Sequence, residues 1–149
     1  MIHDFKFNDK TIYAKGLGEL AFKFANSLIA ESDIIIPVPI HPTRLRKRKY
    51  NHAALLAKKI AKLAKIKVDV DAIIKNSQTH SQVGLSRAER VKNLRDSFQI
   101  SSSANVKGKN VLLIDDVMTT GATANECARI LKKCGAKRVF VVTAARTYS

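Results

Sequence analysis

Two adjacent carboxylates, Asp115 and Asp116, close an apolar run and directly precede a Thr-Thr-Gly-Ala-Thr stretch. Paired carboxylates in that place can accept hydrogen bonds from vicinal hydroxyls. Thr119, Thr120, Gly121, Ala122 and Thr123 can offer successive backbone N–H groups and three hydroxyls, and Gly121 allows close approach of the backbone. A helical pattern begins near Ala124, and the positive end of that helix adds attraction for an anion. Val111–Ile114 suits a buried parallel strand. The acidic pair then sits at the strand's carboxyl end, where open α/β sheets place ligands. A phosphomonoester in the loop and a diol on the carboxylates together describe a ribose 5-phosphate. An ordinary strand–turn–helix corner has no need of two carboxylates beside a phosphate-type loop.

A second chemistry is carried by charge. The formal net charge is +15, unevenly spread. From Ile34 to Val68 there is no Asp or Glu but ten Lys or Arg. Such a surface attracts polyanions. The helix lysines Lys58, Lys59, Lys62 and Lys65 also read as a solvated face, but the cluster Arg44, Arg46, Lys47, Arg48 and Lys49 fits that reading less easily. The cluster follows an apolar strand, Ile34–Ile40, stiffened by Pro37 and Pro39. Pro39, Ile40, His41 and Arg44 therefore form a candidate diphosphate loop, with guanidinium groups as planar forked donors. His41 before Pro42 reads as a loop residue rather than a base, and Tyr50 as a packing anchor. A third segment, Asn76–Asn93, is long and polar, and such connections are often functional. It carries Gln82, Arg87 and Arg90 as groups able to reach a polar or anionic substrate. Glu89 and Arg90 equally suit an ion pair or a helix cap.

The elements that must position these groups follow from periodicity. Leu17, Leu20, Ala21, Phe24 and Leu28 make one stripe of a helix over 16–31. Gly16-Leu17-Gly18 lacks the third glycine of a dinucleotide fingerprint. Asn51 caps a helix to about Lys65 with Leu56, Ile60, Leu63 and Ala64 on its apolar face. Val68–Ile74 reads as a strand, Ser86–Lys92 as a short helical turn, and Ser97–Ile100 as a strand. A helix over Ala124–Cys134 ends at Gly135, and a last strand spans Arg138–Ala145. Strand and helix alternate, which predicts one α/β domain over residues 1–149, a parallel sheet with helices on both faces. Cys127 and Cys134, seven apart on one helix, read as small core residues rather than a metal or disulfide pair. No apolar run approaches the ~20 residues that span a bilayer, and the first residues lack a secretory pattern, so the expected location is cytoplasmic.

Asp115–Thr123 resembles the phosphoribosyl-pyrophosphate (PRPP) motif of type I phosphoribosyltransferases. Further blocks resemble the ComF family of that superfamily over residues 33–146. Pro37-Val38-Pro39, then Arg44 and Arg48-Lys49-Tyr50-Asn51-His52, is similar to the family's PVP…R…RGFNQ pattern. Thr79 to Gln82, Leu85-Ser86, Glu89-Arg90, Asn93 and Phe98 are similar to its T-x-x-Q…L-S…E-R…N…F segment, and Val139–Arg146 to its terminal strand. In departure from the pattern, Lys49 stands for a glycine and His52 for a glutamine, and the family's four-cysteine N-terminal zinc module has no counterpart here.

The resemblance implies the type I phosphoribosyltransferase fold, PRPP as ligand, and Mg²⁺ carried mainly on PRPP oxygens and waters rather than in a permanent protein site. Asp115 and Asp116 would hold the ribose hydroxyls near that ion, Thr119–Thr123 the 5-phosphate, and Gln82, Arg87 and Arg90 would ride on a mobile loop. It also implies a link to natural competence, with single-stranded DNA and DNA-uptake proteins as partners, at the inner-membrane surface in that setting. Arg44, Arg46, Lys47, Arg48 and Lys49 would then contact nucleic acid. Three activities stay open: phosphoribosyl transfer, non-catalytic DNA binding, and PRPP sensing without turnover.

Overall fold

Alternating apolar side chains in two central strands hold the molecule together. The computed structural model describes residues 12–40, 45–47, 49–76, 84, 86–118 and 120–146. In chain order its elements are α1 (Ile12–Phe24), α2 (Asn26–Ala30), β1 (Ile34–Pro37), α3 (His52–Ala64), β2 (Lys67–Val68), β3 (Ile73–Lys75), α4 (Arg87–Arg95), β4 (Phe98–Ile100), β5 (Asn110–Met118), α5 (Ala122–Lys133) and β6 (Arg138–Arg146). The main sheet has the order β2-β1-β5-β6, and every pairing in it is parallel. Ile34, Ile36, Val111 and Leu113 face a core shared with Ile73, Phe98, Cys127 and Leu131. Ile35, Leu112 and Ile114 face the opposite core, filled by Leu17, Ile29, Leu56 and Ile60. Helices α1, α2 and α3 thus cover one face, and α5 with the β3–β4 ribbon covers the other. The expected α/β parallel sheet with helices on both faces is the fold observed.

The order of strands fixes where a ligand can sit. From β1 the chain crosses through α3 outward to β2; from β5 it crosses through α5 to β6 in the opposite direction. The carboxyl ends of β1 and β5 therefore flank the point where the winding reverses, the usual crevice of open α/β sheets.

Local chemistry sets the element ends. The Asn51 carboxamide oxygen accepts from the N–H groups of Ala53 (3.0 Å) and Ala54 (3.3 Å), capping α3 as expected. Helix α5 ends in a Schellman motif, with Ala136 N–H on the Leu131 carbonyl, Gly135 N–H on the Lys132 carbonyl, and Gly135 at φ +95°.

Several expectations need correction. Val68–Ile74 is two strands. Asp69 N–H still bonds the Ile35 carbonyl, but the Asp69 carboxylate then accepts the Asp71 N–H (3.1 Å) in a tight turn. The chain leaves the main sheet there, and β3 pairs antiparallel with β4. The α1 stripe points at the sheet but overhangs its edge strand β6. Leu20 and Phe24 are exposed and border an open groove against Val141–Ala144. Leu63 and Cys134 are exposed as well. Among the described residues no helix is long and apolar enough to cross a membrane.

Leu112 is fully buried between β1 and β6. Leu112→Ala is expected to lower unfolding free energy by about 3 kcal/mol in a urea titration. A loss below about 1 kcal/mol would mean that the α3 side of the core closes over the gap.

Candidate functional site

The acidic pair is held inside a strand rather than beyond its end. β5 runs on to Met118, paired with β6 through Asp115↔Thr143, Val117↔Ala145 and Met118↔Arg146. Period-two alternation puts Asp115 on the side of Val111 and Leu113, and Asp116 on the side of Leu112 and Ile114. Asp115 is buried, and its Oδ1 accepts the N–H of Asp116 at 2.9 Å. Asp116 is half-buried. The two carboxylates are therefore distinct in environment although adjacent in sequence.

The chain then turns sharply into α5. Gly121 is the N-cap residue with φ +81°, a left-handed conformation that glycine adopts without the penalty of a Cβ. Thr120 Oγ1 accepts the Ala122 N–H at 3.3 Å. The first helical bond runs from Asn125 N–H to the Gly121 carbonyl, so the N–H groups of Ala122, Thr123 and Ala124 lie ahead of it. A small niche of about 40 Å³ is lined by Asp115, Val117, Met118 and Thr120–Ala124. One carboxylate and a helix N-terminus thus share one niche, and Asp116 is not part of its lining. Ala122 and Thr123 belong to the first helical turn rather than to a loop. Thr119 lies outside the described residues. Sequence reading missed Met118, whose sulfur would stand 3.6 Å from a Cβ at position 121; its partly buried side chain gave no chemical signal.

The facing wall comes from the end of β1. Val38 N–H bonds the Ile114 carbonyl at 2.8 Å. Asn51, besides capping α3, donates from Nδ2 to the Val38 carbonyl at 3.2 Å. One side chain therefore ties both ends of the 38–51 loop, which the cap signal alone did not reveal. Pro39 and Ile40 are half-buried. Arg46 and Lys47 lie on an exposed helical turn, and Lys49 is exposed. Lys49 has φ +64°, so the position where the family pattern carries glycine keeps a left-handed backbone despite its side chain. His52, the glutamine position of that pattern, is buried at the first residue of α3. His41, Arg44 and Arg48 lie outside the described residues.

From Ser86 onward the third segment is a helix, while residues 77–83 and 85 lie outside the described residues. Arg87 and Arg90 belong to helix α4, with Arg87 exposed at its start. Ser86 and Glu89 form a reciprocal capping box, 2.7 Å from Ser86 N–H to the Glu89 carboxylate and 3.2 Å from Glu89 N–H to Ser86 Oγ. The Ser86 N–H, then its hydroxyl, hold the exposed Glu89 carboxyl below its ordinary value. Of the two readings for Glu89, the cap contact is the one observed. Gln82 lies outside the described residues.

Beneath the niche, Cys127 of α5 is fully buried. Burial, then the negative charges of Asp115 and Glu126, push its thiol up to about 12, while the Lys75 ammonium works the other way. Glu126 is held by Arg129 through two bonds of 2.9 and 2.6 Å. Among the described residues no group of three or more His, Cys, Asp or Glu could hold a metal. The carboxylate oxygens at the niche are those of Asp115, with Asp116 next in the strand but outside the lining, a donor set that fits Mg²⁺ bound mostly by substrate oxygens and water rather than by a protein cage.

Residues 50–148 match the model of the phosphoribosyl transferase domain family. The chain is 37% identical over 116 residues to Competence protein F of Haemophilus influenzae, covering 76% of this chain and 50% of that one. It is 30% identical over 152 residues to the DNA utilization protein YhgH of Escherichia coli, covering 99% of this chain and 66% of that one. The chain thus spans half to about two thirds of the length of these relatives. Its fold is similar to purine phosphoribosyltransferase from Pyrococcus horikoshii, with TM-score 0.56 and 18% identity over 89% of this chain and 82% of that one. The resemblance to the ComF branch is borne out by these relatives.

The two thiols should behave differently. At pH 8 a maleimide is expected to label Cys134 in the folded protein and both cysteines only in urea. Cys127 keeps its proton in the folded state above its ordinary value of 9.0, so below that pH it costs no stability. Between pH 9.0 and about 12 the unfolded thiol ionises first, and stability falls by about 1.4 kcal/mol per pH unit. Cys127→Ala should remove that alkaline slope; an unchanged slope would assign it to another group.

Proposed function

The chain belongs to the phosphoribosyl transferase domain family, and from that premise we propose that it binds PRPP with Mg²⁺. The supporting observation is the joint lining of one niche by the Asp115 carboxylate and the first turn of α5, at the reversal point of the sheet. The 5-phosphate takes the N–H groups of Thr123 and Ala124 and a proton from the Thr120 hydroxyl, whose oxygen already accepts the Ala122 N–H. Asp115 and Asp116 accept hydrogen bonds from the ribose hydroxyls. The diphosphate falls to the backbone end at Pro39 and Ile40. Mg²⁺, when bound, neutralises diphosphate charge.

The reaction this arrangement supports is displacement at ribose C1. The C1–O bond to pyrophosphate breaks, the lone pair of a nitrogen nucleophile forms the new C1–N bond, and the nucleophile's proton is lost to solvent or to the leaving group. Carboxylates beside the ribose stabilise the cationic character of C1 as the bond loosens. The rest of the effect is positioning, since the Val38 N–H bond to the Ile114 carbonyl ties the end of β1 to the strand that carries the carboxylates.

Calorimetric titration of PRPP tests this. Binding is expected with Mg²⁺ and is expected to weaken about 100-fold or more when Asp115→Ala is combined with Asp116→Ala, because hydrogen bonds to charged groups are lost. Unchanged affinity in the double variant would sink the site.

A second reading, DNA handling in competence, is favoured by the exposed Arg46, Lys47 and Lys49 beside the site and by the names of the relatives. Affinity for a single-stranded oligonucleotide should then fall with salt, with a log–log slope of about −0.7 per phosphate contact. Replacing Arg46, Lys47 and Lys49 by Gln should flatten that slope by about 2; an unaltered slope would move the DNA surface elsewhere.

A further inference from the structure

The β3–β4 ribbon carries a cation toward the niche that neither the motif nor the fold assigns. Lys75 closes β3, paired with Phe98 of β4. Its side chain is half-buried, and Nζ lies 5.5 Å from the centre of the Phe98 ring, within the range of a cation–π contact. Phe98 is itself buried in the core shared by Leu113, Ala124 and Cys127. Asp115 continues the Leu113 side of β5 and lines the niche with Ala124. Lys75 and Asp115 thus approach one buried layer from opposite elements, the ribbon and the main sheet. The Cys127 thiol in that layer senses both charges, raised by Asp115 and lowered by Lys75. The other carboxylate it senses, Glu126, is held by Arg129 at 2.6 and 2.9 Å, which leaves Asp115 as the carboxylate of that layer outside these two bonds.

We propose that Lys75 is a positioning residue for Asp115: its ammonium, braced on Phe98, fixes the carboxylate that receives the ribose hydroxyls. The inference rests on the PRPP reading for its consequence for ligand binding, but not for the coupling it proposes between the two side chains. A half-buried ammonium on a ring face is costly to misplace, because desolvation penalises it wherever no opposite charge compensates. Coupled to Asp115, it makes the seating of the ribbon on α5 a condition for a well-oriented carboxylate. A pyrophosphate contact by Lys75 would be a different role, and it predicts a different pattern of losses.

The experiment is a double-mutant cycle with Lys75→Met, Lys75→Arg and Asp115→Asn, read in two ways. In urea unfolding, Lys75→Met should lower the midpoint in the wild-type background and by less than about half as much in Asp115→Asn, since contacting residues are non-additive. In calorimetry with Mg²⁺, Lys75→Met should weaken ribose 5-phosphate and PRPP by the same factor, about 10-fold, and Lys75→Arg should restore most of it. Additive urea midpoints overturn the proposal whatever the ligand data. Loss confined to PRPP overturns it in favour of a diphosphate contact. A wild-type protein that binds neither sugar phosphate would overturn the PRPP reading, while the urea cycle would still decide the Lys75–Asp115 coupling.

Discussion

The parallel pairing of β1 with β5 is the constraint on which the rest depends. Ile34 to Pro37 lie level with Val111 to Ile114, and both strands are buried on both faces. A slip of β1 by one residue would turn each of its side chains to the other face, since the side-chain period is two. Ile35 would then meet the β3–β4 ribbon instead of α3. The register is clamped at both ends. Below it, Asp33 N–H bonds the Asn110 carbonyl and Asn110 N–H bonds the Asp33 carboxylate, each at 2.8 Å. Above it, Val38 N–H reaches the Ile114 carbonyl. Because the register is fixed, the segment after Pro37 and the carboxylates after Ile114 emerge at the same height. Two parts of the chain more than 70 residues apart thereby form one crevice.

How much of this was legible depends on whether the signal was local. The central strands were legible because burial on both faces makes them continuously apolar, as in Ile34–Ile36 and Val111–Ile114. The Asn51 cap and the Gly135 terminus were legible because each rests on one side chain or one special φ. The split of Val68–Ile74 was not, because its decisive event is an aspartate turn inside a run that reads as one strand. Nor was the length of β5. Asp115 and Asp116 end the apolar run, but the ladder continues because β6 supplies partners up to Arg146. The motif of the niche was legible as residue types, whereas the separation of Asp115 from Asp116 across the sheet follows only from that continued strand. Around Arg87 and Arg90 only a short helical turn was legible, because α4 is polar on nearly every side; the Ser86–Glu89 box starts a helix that runs on to Arg95.

Charge is divided between long and short range. The chain carries +15 overall, and Arg46, Lys47 and Lys49 stand exposed in the segment between β1 and α3. Their field reaches about a Debye length, ~8 Å at physiological salt, which suffices to gather anions at the crevice mouth but not to orient them. Orientation falls to groups that are buried and backbone-bound. Asp115 is the case in point, since its Oδ1 is fixed by the next residue's N–H and its strand by β6.

In the proposed complex a carboxylate and a phosphate share one niche, and their charges need not meet. On that reading the helix start and the Thr120 hydroxyl take the phosphate, and the carboxylates take the uncharged diol. The thiol beneath them stays protonated to about 12, so the layer under the niche adds no third negative charge. Cys127 thereby fills the space between α5 and β5 as a small neutral group. A larger side chain there would push the helix start away from the strand end, and an ionised one would repel the phosphate. Packing and electrostatics therefore select the same residue type at the same position.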